Sequence, residues 1–504
     1  MGVNFGLHRL VWGAAAPARY YYIIRPPAGQ APGRMAVAFP PVKWYNGGNL
    51  LMKEGPAVDI AIYTLGCKVN QYETQAMERE LLRRGHTLAD FDGLADAYIV
   101  NTCTVTAVSD KKCRNIIRRA RKGAPGAVVA VCGCYAQTDP DAVAALGVDL
   151  VSGSAGRMDF LDKLEGLLQT RGEQVINIDS ALARRDFERL PAGGAAGRTR
   201  AMLKVEDGCV NFCSYCVIPY ARGPVRSLPL DEAMEQARKL AAEGYREVVL
   251  TGIEISSWGH DLKTGQALID LIEAVCGAAP ELRVRLGSLE PRTVTEEFCR
   301  RAAALPNLCP HFHLSLQSGC DATLARMNRK YDTVRYYESV RLLREHFPDP
   351  GITTDLITGF PGETEGEFAQ TLEFIRRCAF TAMHVFPYSR RPGTPADNMP
   401  DQVPKEEKEA RARKAIALAG ELEARWLNGQ VGRVLPVLFE EEKDGLWQGH
   451  TPNYALVRAQ GGSLHNTLAD VKITGVEGDA LIGVLAGGRE QPLRSMPDCG
   501  KIQD

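Results

Sequence analysis

The sequence predicts a multi-domain α/β protein with an N-terminal parallel α/β sheet domain, a partial (β/α)6 barrel and a small C-terminal β-barrel. Three observations predict this class. The chain has 504 residues, 45% of them hydrophobic, which is too long for one core. Two successive regions alternate apolar runs with amphipathic stretches, as in parallel sheets flanked by helices. The region after residue 428 is rich in Val, Leu and Gly, which favours a small barrel.

Residues 1–56 are predicted to be a disordered extension. An apolar run at Tyr20–Ile24 is followed by several prolines, without a sustained helical or strand period. Met52 stands just before the first convincing strand, so translation could begin there. We assign no function to this extension.

Residues 57–170 are predicted to form the N-terminal domain. Apolar runs at 59–65, 97–100 and 127–131 alternate with amphipathic stretches at 71–84 and 109–122. Residues 171–199 break this rhythm and are rich in glycine near their end, so we interpret them as a linker.

A longer βα series occupies residues 200–426 and ends in a charged helix at 405–426. Its apolar runs lie at 201–206, 247–251, 282–286, 311–316, 352–357 and 382–386. Six such units favour a partial barrel over an open sheet. Residues 427–487 are then predicted to form the small β-barrel, and residues 488–504 a tail.

Composition limits the functional classes. The net charge is −1, so any nucleic-acid surface must be local. The sequence has no run of ~18 apolar residues to cross a membrane and no secretory signal, which predicts a cytoplasmic protein with no membrane partner. The 14 cysteines lack the dense spacing of a disulfide framework, so metal ligation is the better interpretation.

The strongest motif is Cys209-x-x-x-Cys213-x-x-Cys216, directly after the first barrel strand. Closed clusters and structural zinc sites use four protein ligands, whereas three leave one metal position open for an exogenous ligand. An open position indicates chemistry. The alternative is a zinc knuckle with a distant fourth ligand.

Polar residues and glycines follow three later strands, where active sites of such barrels lie. We predict that these residues line a cofactor pocket; the alternative is that they are ordinary turn formers or helix caps. The candidates are Thr251, Gly252, Glu254, Ser315, Gln317, Asp355 and Glu363.

Three cysteines of the first domain, Cys67, Cys103 and Cys134, each follow a predicted strand. The ends of parallel strands share one edge of a sheet, so these thiols are predicted to converge on a second cluster. The alternative is three buried structural cysteines. Cys132 competes with Cys134, but the turn at Gly133 favours Cys134.

Four sequence words carry a family resemblance: Thr-Leu-Gly-Cys-Lys-Val-Asn-Gln-Tyr-Glu at 64–73, Asn-Thr-Cys-Thr-Val-Thr at 101–106, Gly-Cys-Tyr-Ala-Gln at 133–137, and the motif at 209–216. In this order they resemble the radical S-adenosylmethionine methylthiotransferase family over residues 57–487. The terminal barrel resembles the family's RNA-binding TRAM domain. The opening word resembles the branch that acts on N6-threonylcarbamoyladenosine at position 37 of tRNA, and not the isopentenyladenosine or ribosomal-protein branches.

The resemblance implies S-adenosylmethionine and two 4Fe-4S clusters as cofactors. It implies that Cys209, Cys213 and Cys216 hold the radical-generating cluster. Cys67, Cys103 and Cys134 would hold an auxiliary cluster that carries the sulfur to be methylated and transferred. The implied partners are tRNA, an electron donor such as a flavodoxin-type protein, and a sulfur donor. The wording at 223–226 and 254–258 departs from the family's usual pattern, which bears on pocket detail.

A predicted helix carries the local basic surface, which suits phosphate contact or is merely a solvated face. Its cations are Lys111, Lys112, Arg114, Arg118, Arg119, Arg121 and Lys122, and Arg390 and Arg391 are further candidates. The sequence leaves two alternative functions: a non-catalytic RNA-binding protein with structural metal, and an enzyme that modifies a ribosomal protein.

Overall fold

The structure, a computed structural model, describes residues 57–194 and 198–487. The predicted extension at 1–56 and tail at 488–504 lie outside the described residues. No helix in the described part of the chain is long and apolar enough to cross a membrane.

The first domain is a six-stranded parallel sheet with helices on both faces. Its strands are β1 (Asp59–Thr64), β2 (Thr87–Ala89), β3 (Ala97–Thr102), β4 (Val128–Gly133), β5 (Leu150–Ser152) and β6 (Val175–Asn177), and its helices are α1 (Lys68–Arg83), α2 (Ala107–Gly123), α3 (Cys134–Thr138), α4 (Pro140–Ala144) and α5 (Arg157–Gln169). The strand order is β2-β1-β3-β4-β5-β6. Every residue of β3 and β4 is buried, because helices cover both faces of a parallel sheet.

The segment interpreted as a linker supplies one strand of this sheet. Within 171–199, β6 pairs with β5 through Val175 and Leu150. The strand is only three residues long, too short for a period to reveal it in the sequence.

The second region is the predicted partial barrel. Its strands are β7 (Arg200–Lys204), β8 (Glu206–Asp207), β9 (Arg226–Ser227), β10 (Glu247–Thr251), β11 (Arg283–Leu286), β12 (Ser288–Leu289), β13 (His311–Leu314), β14 (Gly351–Thr358) and β15 (Ala382–Pro387). Its helices are α6 (Ile218–Arg222), α7 (Leu230–Ala242), α8 (Leu268–Ala278), α9 (Glu296–Ala303), α10 (Asp321–Arg326), α11 (Thr333–His346), α12 (Glu365–Cys378) and α13 (Lys405–Asn428). Short 3-10 helices lie at Ala181–Ala183, Ile255–Ser257, Pro291–Thr293 and Pro395–Asn398.

The barrel consists of two parallel sheets, ordered β11-β10-β7 and β12-β13-β14-β15. They meet where Val284 of β11 forms a parallel bridge with Leu308, just before β13. The six βα strands therefore follow one another around the barrel as the sequence predicts. Helices α7, α8, α9, α11, α12 and α13 bury apolar faces in its core.

The third region is a closed five-stranded barrel. Its strands are β16 (Val434–Lys443), β17 (Leu446–His450), β18 (Leu456–Ala459), β19 (Leu468–Glu477) and β20 (Ala480–Leu485), ordered β16-β17-β18-β20-β19. The turn after β17 packs against the amino-terminal ends of the large barrel's strands. The Tyr454 ring stacks between His311 and His450, with both ring centroids 4.6 Å away, and Arg285 lies over its face. The predicted three-part α/β fold is confirmed.

Candidate cluster and cofactor site

The three cysteines of the first domain stand at one edge of the sheet. Cys67 directly precedes α1 after β1, Cys103 directly follows β3, and Cys134 is the first residue of α3 after β4. Strands β1, β3 and β4 are adjacent and parallel, so their carboxyl ends bring the three residues together. Cys103 and Cys134 are buried and Cys67 is exposed, which leaves the set open on one side.

A close approach between two loops requires glycine before Cys67. Gly66 has a φ of +122°, and a Cβ atom at this position would lie 2.9 Å from the Cβ atom of Cys103. The Asn70 side-chain amide then joins the two loops by donating to the Leu65 carbonyl at 2.8 Å and the Thr102 carbonyl at 2.9 Å. The Gly-Cys pair and Asn70 of the opening word therefore position the cysteines.

Cys132 faces away from this set. Its side chain packs in the apolar cluster on the other face of the sheet, with Ile99, Ala130 and Phe160. Cys134 instead contacts Arg222 of α6. The preference for Cys134 as the ligand is consistent with this placement.

Arg222 links the first cysteine set to the barrel. The side chain is fully buried, its Nε atom donates to the Cys134 sulfur at 3.2 Å, and Nη2 donates to the Asn70 Oδ1 atom at 2.8 Å. A guanidinium here stabilises negative charge on the sulfurs, which metal ligation requires.

A buried ion-pair network holds Arg222 in place. Glu73 of α1 pairs with Arg222, with Arg157 at 2.6 Å and with Lys204 of β7 at 3.5 Å. Burial by itself would raise the pKa of Glu73, but these cations outweigh it and hold that pKa well below its usual range. Asp207 extends the network through Lys204 at 3.4 Å. These contacts fix the first domain to the barrel beneath the cysteines.

The second cysteine set lies on the loop between β8 and α6. The loop is held by Cys209 N–H donating to the Gly223 carbonyl at 3.0 Å and by Ser214 N–H donating to the Met327 carbonyl at 3.0 Å. Arg329 Nη1 donates to the Cys213 sulfur at 3.2 Å. Burial raises the pKa of Cys216 to about 12.

The two sets share one design and lie near each other. Each has three thiols and one arginine that donates to one of the sulfurs, and Cys216 lies within electrostatic range of Cys134. In the described ranges, no three Cys, His, Asp or Glu side chains converge as ligands of a single ion. A four-iron cluster binds each thiolate through a separate iron, and its negative charge suits the arginines. The residues present fit such clusters.

A polar cavity of about 260 Å³ opens beside the second set. It is lined by Asn211, Glu254, Ser256, Ser257, His260, Glu290, Arg292 and Thr293. Burial raises the pKa of Glu254 to about 7. Of the predicted cofactor-lining residues, Glu254 lines this cavity. Its backbone N–H donates to Glu206 Oε2 at 2.7 Å. A Cβ atom at Gly252 would lie 2.7 Å from the same oxygen, so glycine permits this close approach.

The other predicted lining residues occupy different places. Asp355 lies 3.3 Å from His313 Nε2, and the Gln317 N–H donates to the Asp355 carbonyl at 2.9 Å. The Ser315 carbonyl accepts from Tyr331, and Thr251 ends β10. Glu363 is buried and bonded to Gly359 N–H and to Arg411 of α13. Their cofactor roles stay predictions.

Sequence reasoning missed both arginines that contact sulfur, and most of the cavity lining. Arg222 lies near the motif at 209–216, but nothing in its spacing distinguishes it from a surface arginine. Arg329 is 113 residues after Cys216 in the chain, so only the fold brings it to Cys213. Asn211 lies inside the motif, and Ser256 and Ser257 lie in the segment at 254–258 whose wording departs from the family's usual pattern, so these three carried a signal in the sequence.

Only some of the cations of the basic helix, α2, form ion pairs with other described residues. Arg121 pairs with Asp149 at 2.8 Å and Arg119 with Asp92 at 3.2 Å. The exposed cations without an ion pair to another described residue are Lys111, Lys112, Arg118 and Lys122. Arg391 is buried against Asp110 and Thr104, so it joins the barrel to the first domain and does not present its charge to RNA.

Comparison with known proteins assigns both regions. Residues 203–375 match the radical SAM superfamily, and residues 59–153 match the uncharacterized protein family UPF0004. The chain is 39% identical to the threonylcarbamoyladenosine tRNA methylthiotransferase MtaB of Bacillus subtilis (strain 168), over 80% of this chain and 90% of that protein. It is 38% identical to the Thermotoga maritima protein of the same name, over 76% of this chain and 86% of that protein.

A solved structure supports the fold. The radical S-adenosylmethionine methyltransferase TsrM from Kitasatospora setae matches with a TM-score of 0.50 and 19% identity, over 67% of this chain and 75% of that one. The superfamily match implies S-adenosylmethionine and a 4Fe-4S cluster as cofactors. The chain therefore belongs to the radical SAM methylthiotransferase family.

Proposed function

We propose that the protein converts N6-threonylcarbamoyladenosine at position 37 of tRNA to its 2-methylthio derivative. The observation that carries this proposal is the pair of three-cysteine sets that lie near each other, with Arg222 at the first set and Arg329 at the second. Transfer of a methylthio group needs a sulfur carrier next to a radical source, and two adjacent open sites meet that need. The names of the relatives at 39% and 38% identity support the same substrate.

Each cysteine set would hold one 4Fe-4S cluster. Cys209, Cys213 and Cys216 would hold the cluster that binds S-adenosylmethionine, and Cys67, Cys103 and Cys134 the auxiliary cluster. When bound, these groups supply the radical and the sulfur for transfer. The chain itself offsets the charge at both sites through Arg222 and Arg329.

The polar cavity beside the second set would hold the polar end of S-adenosylmethionine. Glu254 there provides a carboxylate for an ammonium group, and Arg292 provides a cation for a carboxylate. Both groups line one 260 Å³ space, so they can orient one ligand. Of the other predicted lining residues, Ser315 directly follows β13, whereas Asp355 lies within β14.

The RNA would be bound by the surface around this site. The exposed cations of α2 supply phosphate contacts, and the closed five-stranded barrel at the carboxyl end would act as a TRAM-like RNA-binding module. The reaction also needs an electron donor, such as a flavodoxin-type protein, and a sulfur donor. We place the reaction in the cytoplasm, where its tRNA substrate is found.

The test is mass spectrometry of tRNA nucleosides from cells that lack this gene, complemented with defined variants. Wild-type protein should restore 2-methylthio-N6-threonylcarbamoyladenosine, whereas Cys67→Ala and Cys209→Ala should leave the unthiolated nucleoside to accumulate. Cys299→Ala is a matched control, because Cys299 is buried in the barrel core away from both sets. An unchanged profile in the deletion strain would exclude the tRNA substrate.

The same measurement separates a second candidate substrate. The tRNA-2-methylthio-N(6)-dimethylallyladenosine synthase of Pelotomaculum thermopropionicum is 31% identical over 84% of this chain and 97% of that protein. Loss of the methylthio form of dimethylallyladenosine alone would favour this substrate and contradict the proposal.

A further inference from the structure

Two aromatic side chains stand exposed on the loop that carries the second cysteine set. Phe212 precedes Cys213 and is 42% exposed, and Tyr220 of α6 is 43% exposed. Their rings form an edge-to-face pair with centroids 5.8 Å apart at 73°. Val210, on the same loop, is also exposed. Burial in the core does not explain these rings.

The backbone holds Phe212 in this outward position. Its φ is +45°, in the left-handed region that bulky L residues rarely adopt. Asn328 Nδ2 donates to the Phe212 carbonyl at 2.8 Å and fixes the conformation from the neighbouring loop. Strained residues held by their surroundings cluster at functional sites. The fold therefore maintains an unfavourable conformation that exposes an aromatic ring beside the cysteines.

An exposed cation lies beside the same loop. The exposed Lys330 Nζ donates to Asn328 Oδ1 at 2.8 Å, the same asparagine that holds Phe212. Lys330 also lines a small cleft with Asn211 and Cys213 of the loop. Aromatic faces with an adjacent cation are the combination that binds single-stranded nucleic acid, by base stacking and phosphate contact.

We propose that Phe212 and Tyr220 form a stacking platform for the nucleobases next to the reacting adenosine, with Lys330 at the RNA backbone. This inference rests on the proposed function. The neighbouring nucleotides are each joined to the reacting one by a single phosphodiester, so they must rest on the surface around the cysteine loop. The two rings are exposed on that surface, and they hold the RNA loop open beside the site.

The test uses an anticodon stem-loop RNA with 2-aminopurine at one nucleotide beside the target adenosine, bound to the cluster-loaded enzyme. Stacking on an aromatic ring changes 2-aminopurine fluorescence. Phe212→Ala and Tyr220→Ala should each bind about tenfold more weakly and lose most of that change. Phe212→Trp keeps a ring and should retain both. Lys330→Ala should weaken binding and lower its salt dependence.

Leu94→Ala is the matched control, because Leu94 is 83% exposed but lies before β3, at the opposite edge of the first sheet from the cysteines. Iron content and cluster absorbance of each variant show that the loop still holds its cluster. Unchanged affinity and fluorescence in both alanine variants would overturn the proposal. So would normal RNA binding combined with slower reduction by an electron-transfer protein, because the rings would then serve as a protein docking surface.

These outcomes are distinct from failure of the proposed function. If tRNA is not the substrate, wild-type protein leaves the nucleoside profile unchanged. If only the platform is wrong, wild-type protein modifies tRNA and the Phe212→Ala variant binds it with unaltered affinity.

Discussion

Arg222 Nε lies 3.2 Å from the Cys134 sulfur, and the same guanidinium is bonded to Glu73 and Asn70. One side chain from the barrel thus contacts a cysteine of the first domain, the Asn70 side chain that joins the two cysteine loops, and Glu73 of the same helix. The link matters because neither domain by itself completes the surroundings of the first cysteine set.

Arg222→Lys should lower the reduction potential of the auxiliary cluster that we propose at Cys67, Cys103 and Cys134. Hydrogen bonds and positive charge at the sulfurs favour the reduced, more negative cluster, and lysine cannot reproduce the three-way contact. We expect a shift of about 50 mV to lower potential, measured by redox titration with electron paramagnetic resonance.

The matched control is Arg301→Lys, which changes a surface arginine paired with Asp270 and Glu273. It should leave the potential unaltered. Equal potentials in the wild-type and Arg222→Lys proteins, at equal iron content, would show that Arg222 serves the domain contact alone.

Cys134→Ala should lose about four iron atoms per chain after anaerobic reconstitution, whereas Cys132→Ala should keep them. The two residues are neighbours in sequence, but Cys132 packs in the apolar cluster and Cys134 faces Arg222. Iron analysis of both variants beside the wild type measures the difference. Loss of iron in Cys132→Ala and retention in Cys134→Ala would reverse the ligand assignment.

Glu254→Gln should stabilise the cluster-free protein at pH 8 and leave its stability almost unchanged at pH 4. Burial raises the pKa of Glu254 to about 7, so the folded protein favours the neutral carboxyl. The free-energy cost of ionising Glu254 in the folded protein is absent below the unfolded pKa of about 4.5. It grows as pH rises and reaches its full value above about pH 7.

The amide keeps an Oε1 acceptor for the Ser256 N–H, so the fold is preserved. We expect the Gln variant to melt about 3 °C higher than the wild type at pH 8, by differential scanning fluorimetry. A difference of the same size at both pH values would mean that the ionisation of Glu254 has no part in it.

Replacing Lys111 and Lys112 together by alanine should weaken tRNA binding several-fold and reduce the slope of log K against log salt by about 2. Both side chains are exposed at the start of α2, on the segment that follows Cys103. Fluorescence anisotropy over a salt series measures both quantities. Lys239→Ala, on an outer helix of the barrel, is the control and should change neither; an unchanged slope in the double variant would identify α2 as a solvated surface.

Much of the fold follows from local patterns. The runs around β3, β4 and β10 are apolar because helices cover both faces of a parallel sheet, and this burial is visible as a short uninterrupted hydrophobic stretch. The strand β6 cannot be recognised in the sequence, because three residues are too few to show an alternating hydrophobic pattern. It is defined only by its pairing with β5. The stretch that contains it was therefore interpreted as a linker.

The candidate site was predictable as far as residue type and strand position determine it. Cys67, Cys103 and Cys134 follow strands that share an edge, so their convergence follows from the parallel sheet. Glu254 also follows a parallel strand, β10, so its position at the carboxyl end of the barrel strands was predictable in the same way. The sequence offers Arg391 as a candidate either for RNA contact or for a solvated surface, but the first domain buries it against Asp110, a residue 281 positions away in sequence.

The sequence by itself determined the three-part architecture, the two cysteine sets and the family, because hydrophobic period, motif spacing and turn glycines are local properties of the chain. Only the tertiary structure decided which side chains surround the sulfurs. Arg222, Arg329 and Glu73 reach the site from separate elements. The buried charges of Arg222 and Glu73 are stable there only because the folded chain supplies opposite charges within hydrogen-bond distance. Such pairings depend on contacts across the chain, and no local pattern encodes them.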